Sequence, residues 1–478
     1  MTRKLTAILL TFLFSALSLH AALDFSVFDP RGFEGSAPME FNAPEDIIEA
    51  PNGNILVADS GNNRIQEITK TGAFVRVIPP LATASSTLAV LTDNKAPTVS
   101  FMQDGEMMTI AQTQLMQKTE SAFRNPMSMA FDSNGVLYVT LHKDDMLVGL
   151  DFKSGKIAKI VARSGKDQGE LYGPIGVDIN RNDVFAVAEF KNKRVQILDK
   201  YGNCLKILIY REEKQVNGKT TSSSLAPRGV KWNSEGHLIV TYPLYHQIVC
   251  WDVRNGTVLW RYGTGKEGSD RGMVYNPSFI AQSRDGNYLV SDTLNHRILE
   301  ISNEGMFLNH YSQQGTSPGR LRSPRGLLLT DDDNLYIADQ GNARFHIFMP
   351  GKVTIALKEA KMHAMREEWD QVMTVTDKIL YMQPTNPEAI NLKVNALYYY
   401  GNKAFEEKDY TKARDYYKRV LRYRPNDDNI PKKLDSIFWV SNNKIFITII
   451  AGVIIAIGAL LLIWVLKLFL SKAFKKKT

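Results

Sequence analysis

Cysteine is almost missing from this 478-residue chain: there are two, Cys204 and Cys250. Two thiols cannot build the disulfide framework that holds small extracellular domains together. One bridge or two separate thiols are both open, and two separate thiols are expected. Histidine is also sparse, with eight. His142, His246 and His296 are scattered, without the close spacing of a local zinc motif. The chain has no phosphate loop, nucleophile elbow or paired-cysteine metal motif. These absences lead to the expectation of no enzyme, no metal and no cofactor. A lone glycosylation sequon, at Asn255, gives no support to a glycosylated ectodomain and favours a bacterial envelope protein.

Charge is close to balance once the two ends are set aside. The chain has 58 Lys and Arg against 50 Asp and Glu, a net charge of +8. Five of those charges are Lys467, Lys472, Lys475, Lys476 and Lys477, and two are Arg3 and Lys4, which leaves +1 for everything between. The basic balance therefore follows topology and does not point to nucleic acid. Residues 1–22 have the layout of a cleaved secretory signal: Arg3 and Lys4, an apolar run from Leu5 to Leu19, then Ala21 and Ala22. Residues 445–466 contain no charged residue. As a helix they measure about 33 Å against a hydrocarbon core of about 30 Å. The lysines that follow assign the tail, 467–478, to the cytoplasm. The expected topology is a single-pass membrane protein with its bulk on the periplasmic or cell-surface side.

Between the ends the chain repeats. Six segments open on Pro44, Pro126, Pro174, Pro227, Pro277 and Pro324. Fifteen residues on stand Asp59, Leu141, Glu189, Tyr242, Asp292 and Asp339, and five further Arg64, Met146, Arg194, Gln247, Arg297 and Arg344. Each unit carries a Gly/Asn/Asp turn between short β-rich runs, the pattern of a hairpin followed by a third and an outer strand. A four-stranded sheet cannot bury both faces alone, but six arranged radially can, so residues 23–351 are expected to form a mainly β, six-bladed propeller. The last unit lacks its outer strand. The segment 24–44 has the layout to supply it, which predicts that the mature N-terminus pairs with the sixth blade. "GNILVADSGNNRIQEI" and "DNLYIADQGNARFHIF" resemble the NHL repeat. That resemblance implies the propeller fold and says little of function, although some NHL-like propellers are metal-dependent lyases.

The pairs Asp59–Arg64, Glu189–Arg194, Asp292–Arg297 and Asp339–Arg344 recur four times, so they are read as structural ties between strands or blades. Recognition is assigned to residues that differ between units. Glu45, Arg228 and Arg325 follow their prolines at the channel mouth, where two arginines suit an anion. His142, Lys143, Tyr242, Tyr245, His246 and His296 belong to the loops after the second strands. The first proline interval is 82 residues where the others run from 47 to 53. An insertion at about 80–122 is therefore expected over the same face.

After Gly351 the pattern turns helical. Ala360, Trp369, Val372, Thr376, Ile379 and Pro384 match Gly401, Tyr410, Ala413, Tyr417, Val420 and Pro425 at an offset of 41. "GNKAFEEKDYTKARDYYKRVLRYRPND" resembles a tetratricopeptide repeat, which implies a paired-helix solenoid over 352–440, with an amphipathic helix from Ile430 to Val440 as a cap. The expected function is a membrane-anchored scaffold or ligand-binding propeller holding protein partners, with a metal-dependent propeller lyase or hydrolase as the alternative.

Overall fold

The computed structural model describes residues 25–78, 98–103, 106–111, 123–216 and 219–474. The expected signal (1–22), most of the 80–122 insertion and the last four residues lie outside them. The chain divides between Gly351 and Lys352 into two compact units.

The first unit is a six-bladed propeller. Five blades are consecutive four-stranded antiparallel sheets, at 44–78, 126–162, 174–208, 230–262 and 277–311. The sixth consists of Pro324–Leu329, Leu335–Asp339 and Arg344–Pro350, completed by Phe25–Arg31 from the chain's start. Phe25 pairs with Pro350 and Val27 with Phe348, so the expected N-terminal closure is present. The Phe25 ring meets Tyr311 and Phe348 edge-on at 5.1 and 6.5 Å. This strand removes the open edge that Arg344–Pro350 would otherwise present.

Each second strand is buried along its whole length. Both of its faces are covered, so its sequence reads as a continuous apolar run and not an alternation. The core is divided accordingly into six apolar clusters, one between each pair of adjacent blades. Leu56 and Ile65 meet Leu137 and Val148 between blades 1 and 2, and Ile47 and Val57 meet Tyr336 and Phe345 between blades 1 and 6. Inner strands approach closely where small residues follow the proline. A Cβ on Gly326 would lie 2.5 Å from the Asp46 Cα.

The acid–arginine pairs tie more than strands. Asp59 and Arg64 face each other across the second and third strands at 2.7 Å. The guanidinium also donates to the carbonyls of Ser36, Ala37 and Glu40, and Asp59 accepts from Asn42 N at 2.7 Å. The pair thus clamps the segment leading into its own blade. Glu189–Arg194 does the same for Lys166, Asp167 and Glu170, and Asp292–Arg297 for Ser269 and Met273. In blade 6, Asp339–Arg344 holds Arg320.

Blades 2 and 4 lack the pair, and each is preceded by a β-hairpin. One comprises Thr98–Gln103 and Glu106–Ala111, and the other Arg211–Val216 and Lys219–Ser224. The first lies in the expected insertion. The second was not foreseen, although Asn217-Gly218 between strand-forming residues is a hairpin signal. With no extended lead-in to clamp, blade 4 uses an apolar substitute: Tyr210 packs on Tyr242 at 4.9 Å and on Trp251 at 6.1 Å. Leu141 in blade 2 is buried in the same cluster as Phe123, with Met146 packed against it.

The second unit holds five helices among the described residues: α1 Lys352–Met365, α2 Trp369–Met382, α3 Pro387–Glu406, α4 Tyr410–Tyr423 and α5 Asn429–Phe474. Trp369 and Tyr410, matched at the 41-residue offset, both open helices. Gly401 allows α3 and α4 to close on each other, since a Cβ there would lie 2.5 Å from the Tyr417 ring. The extra length of the repeat lies in α3, which has 20 residues where α1 has 14.

The expected cap and the apolar segment form a single 46-residue helix. Ile430 and Ile437 are buried against the repeat helices, and Ile445–Lys467, with a mean hydropathy of 3.0, is long and apolar enough to cross a membrane. The joint contains no Gly or Pro. Asn442 and Ser441 bond back to the Phe438 carbonyl, so their polar side chains do not break the helix.

Candidate functional site

In a sheet of antiparallel neighbours, the loops after second strands and the connections between blades emerge on one face. Both hairpins therefore rise from that face, and the residues after the prolines ring its central opening. The ring is divided by chemistry. Met127, Ile175 and Phe279 form a buried apolar cluster, with Phe190 packed against it. The three expected polar residues stand on blades 1, 4 and 6, with Arg228 between Ile175 and Phe279 in ring order. Arg228 Nη2 bonds Glu45 Oε2 at 2.5 Å, and Gln340 Nε2 donates to Glu45 Oε1 at 2.6 Å. Arg325 donates through Nε to Gln340 at 3.0 Å and through Nη1 to Ser278 Oγ at 2.8 Å.

One carboxylate therefore serves two guanidiniums, Arg228 directly and Arg325 through Gln340. Burial, and then repulsion from Arg228, lowers the Arg325 pKa to about 10. Arg228 Nε is shielded from solvent and bonds no protein acceptor, while its guanidinium carbon lies 5.8 Å from the centre of the Phe279 ring. An anion placed here would balance the second positive charge and satisfy the free N–H.

Deeper in the ring are groups that the sequence analysis did not single out. Asp46 accepts from Ser128 Oγ and Met129 N, both at 2.9 Å, and burial pushes its pKa up to about 7. Asp178 pairs with Lys231 at 3.0 Å and accepts from Trp232 N at 2.7 Å. Asp178 and Lys231 each stand four residues after a blade proline, so a comparison of that repeat position could have found them.

The loop candidates are not brought together. Tyr242 is a correction: expected on the rim, it is 1% exposed, because it takes the place of the clamp acid and packs under Tyr210. Tyr245 is half-buried against the same cluster. Lys143 is exposed. His142 is half-buried and its Nδ1 lies 3.1 Å from the Pro174 carbonyl. His246 and His296 adopt left-handed backbone conformations, and their Nδ1 atoms accept from Asn276 N at 3.3 Å and Ser323 N at 3.1 Å. Asn63 and Asp145, at the same repeat position, accept from Asn125 N and Gly173 N. These side chains rivet blades 1, 2, 4 and 5 to the start of the next blade. Burial lowers the pKa of all three histidines, which suits an Nδ1 acceptor in His246 and His296. Among the described residues no three His, Cys, Asp or Glu side chains converge to hold a metal ion.

No protein-family model matches the chain. Peptidyl-glycine alpha-amidating monooxygenase B of Xenopus laevis is 31% identical over 140 residues, covering 27% of this chain and 16% of that protein. Its A counterpart from the same organism is 31% identical over 140 residues, covering 27% and 15%. The chain thus spans about a sixth of the length of these curated relatives. Among solved structures, a streptogramin B lyase has 15% identity and a TM-score of 0.43, covering 68% of this chain and 98% of the other. A nutrient-binding protein from Bacteroides ovatus has 12% identity and a TM-score of 0.45, covering 69% and 78%.

Proposed function

We propose that this chain is a membrane-anchored, extracytoplasmic binding scaffold of the NHL-propeller kind, carrying a tetratricopeptide-like helical unit and held by 445–466. The observation that carries the reading is the concentration of departures from the repeat on one face of the propeller. Two hairpins replace clamped lead-in segments there, and the channel mouth interleaves two half-buried arginines with apolar residues. Such a mouth suits a ligand or protein segment with an anionic group beside an apolar one. The apolar segment and its following lysines support the anchor and its orientation.

Crosslinking the intact chain in its native membrane, followed by identification of the attached species, tests the reading. Loss of specific adducts on replacing 211–224 with a short loop, or on Arg228→Glu, is expected. An adduct set unchanged by both variants refutes a binding role for this face. The second reading is a metal-dependent enzyme, a lyase or hydrolase; the 31% identity over 140 residues to a protein named peptidyl-glycine alpha-amidating monooxygenase supports an enzymatic role only in general. Stoichiometric zinc or calcium in the purified chain, lost on His142→Ala or His246→Ala, would replace the first reading with the second.

A further inference from the structure

The two helical repeats differ at one position with a large consequence. In the second repeat Tyr410, at the start of α4, is covered by Phe405, whose ring centre is 5.7 Å away. At the 41-residue offset, Phe405 corresponds to Ala364 and Tyr410 to Trp369. The small residue removes that ring contact, and a cleft of 540 Å³ opens beside the half-buried Trp369 at the α1–α2 turn, next to the C-terminal half of α3. Trp369 stacks on Tyr399 at 5.4 Å, and Tyr399 meets Tyr400 edge-on at 5.3 Å. Tyr399 remains 40% exposed.

The cleft's polar groups have one dominant sign. Glu367, Glu368 and Asp370 line it against a single lysine, Lys403. Asp370 Oδ1 accepts from the Tyr400 hydroxyl at 2.5 Å, and Glu368 is 2.6 Å from His363 Nδ1. Separately from this charge, Trp369 Nε1 is shielded from solvent and bonds no protein acceptor. A buried indole N–H ordinarily finds one. The cleft therefore combines aromatic faces, excess negative charge and an unused donor.

A basic peptide meets all three requirements. An arginine guanidinium stacks on aromatic faces and pairs with carboxylates, and a main-chain carbonyl accepts from an indole. Phosphate-bearing ligands meet the wrong charge. We propose that this cleft binds an arginine-containing segment of a partner protein, with the guanidinium against the Trp369–Tyr399 wall and the Glu367 and Asp370 carboxylates. The proposal rests on the helical unit alone, independently of the propeller's ligand.

The test uses the full chain in uncharged phosphatidylcholine nanodiscs and a fluorescently labelled peptide, Gly-Ala-Arg-Ala-Arg-Gly, followed by anisotropy. Saturable binding is expected. It should weaken about tenfold or more when glutamine replaces the peptide's arginines, a loss comparable to that of a charge-assisted hydrogen bond. Glu367→Gln combined with Asp370→Asn should have a similar effect. Ala364→Phe copies the second repeat and should fill the cleft and abolish binding, while circular dichroism shows the helices retained. Absence of saturable binding to the intact chain overturns the proposal. Equal affinity for the glutamine peptide, or undiminished binding by the folded Ala364→Phe chain, also overturns it.

Discussion

Arg64→Met should loosen the segment leading into blade 1 far more than an ordinary ion-pair deletion would. Arg64 bonds the Asp59 carboxylate and three carbonyls, those of Ser36, Ala37 and Glu40. Asp59 is 0% exposed. Removing the cation leaves a buried carboxylate without its counter-charge, a loss of about 3–5 kcal/mol. At about 1.4 kcal/mol per power of ten, amide exchange at Gly35, Met39 and Asn42 should accelerate by about two to four powers of ten. Hydrogen-exchange mass spectrometry of the peptide covering 33–42 reads this directly. The double variant Asp59→Leu with Arg64→Met installs the Leu141–Met146 pair of blade 2. It removes the buried charge but leaves the Ser36 carbonyl and Asn42 N–H without partners, while the Ala37 and Glu40 carbonyls keep Glu40 N and Gln66 Nε2, so about 1–3 kcal/mol of the loss should remain. Ordinary buried ion pairs are often replaced by apolar residues at no cost. Full restoration of protection in the double variant would therefore refute the clamp, as would wild-type exchange in Arg64→Met.

Three further outcomes are expected. Deleting 25–31 exposes the Arg344–Pro350 edge, so size-exclusion chromatography should show self-association and thermal unfolding should begin at lower temperature; a monomer with unchanged unfolding would count against N-terminal closure. His246 and His296 have lowered folded pKa values. Both states are neutral above about pH 6.5; as pH falls below it the unfolded chain takes up protons first, so stability declines until the folded values are reached. His246→Asn with His296→Asn, which copies Asn63, should flatten that decline in thermal unfolding, and an unaltered pH dependence would exclude these two rivets. Cys204 is half-buried, while Cys250 is 1% exposed with its pKa pushed up to about 12 by burial. Iodoacetamide should modify at most Cys204 in the native protein and both cysteines after denaturation, whereas a bridge between them would leave both unmodified in either state.

The propeller was legible because its signals are local and repeated. The prolines, the turns and the acid–arginine offset recur at fixed spacing, and the missing sixth outer strand matched a segment at the other end of the chain. Gly401, Ala413 and Tyr417 similarly marked the crossing of α3 and α4. The sites were less legible. Divergence from the repeat marked Tyr242, His246 and His296 as rim candidates, yet Tyr242 fills the core and the histidines accept hydrogen bonds from the next blade. Divergence showed that these positions work differently without showing which neighbour they meet.

By itself the sequence determined the number of blades, the strand that completes the ring, the pairing of each acid with its arginine and a C-terminal segment apolar enough to span a bilayer. All of these follow from spacing along the chain. Only the tertiary structure decided that the clamps hold lead-in segments, that Arg228 bonds Glu45 while Arg325 reaches it through Gln340, and that Trp369 borders a cleft while Phe405 packs on Tyr410. Those outcomes depend on groups brought together across blades or between helices. Contacts across such separations are set by packing, to which a local pattern of residue types is blind.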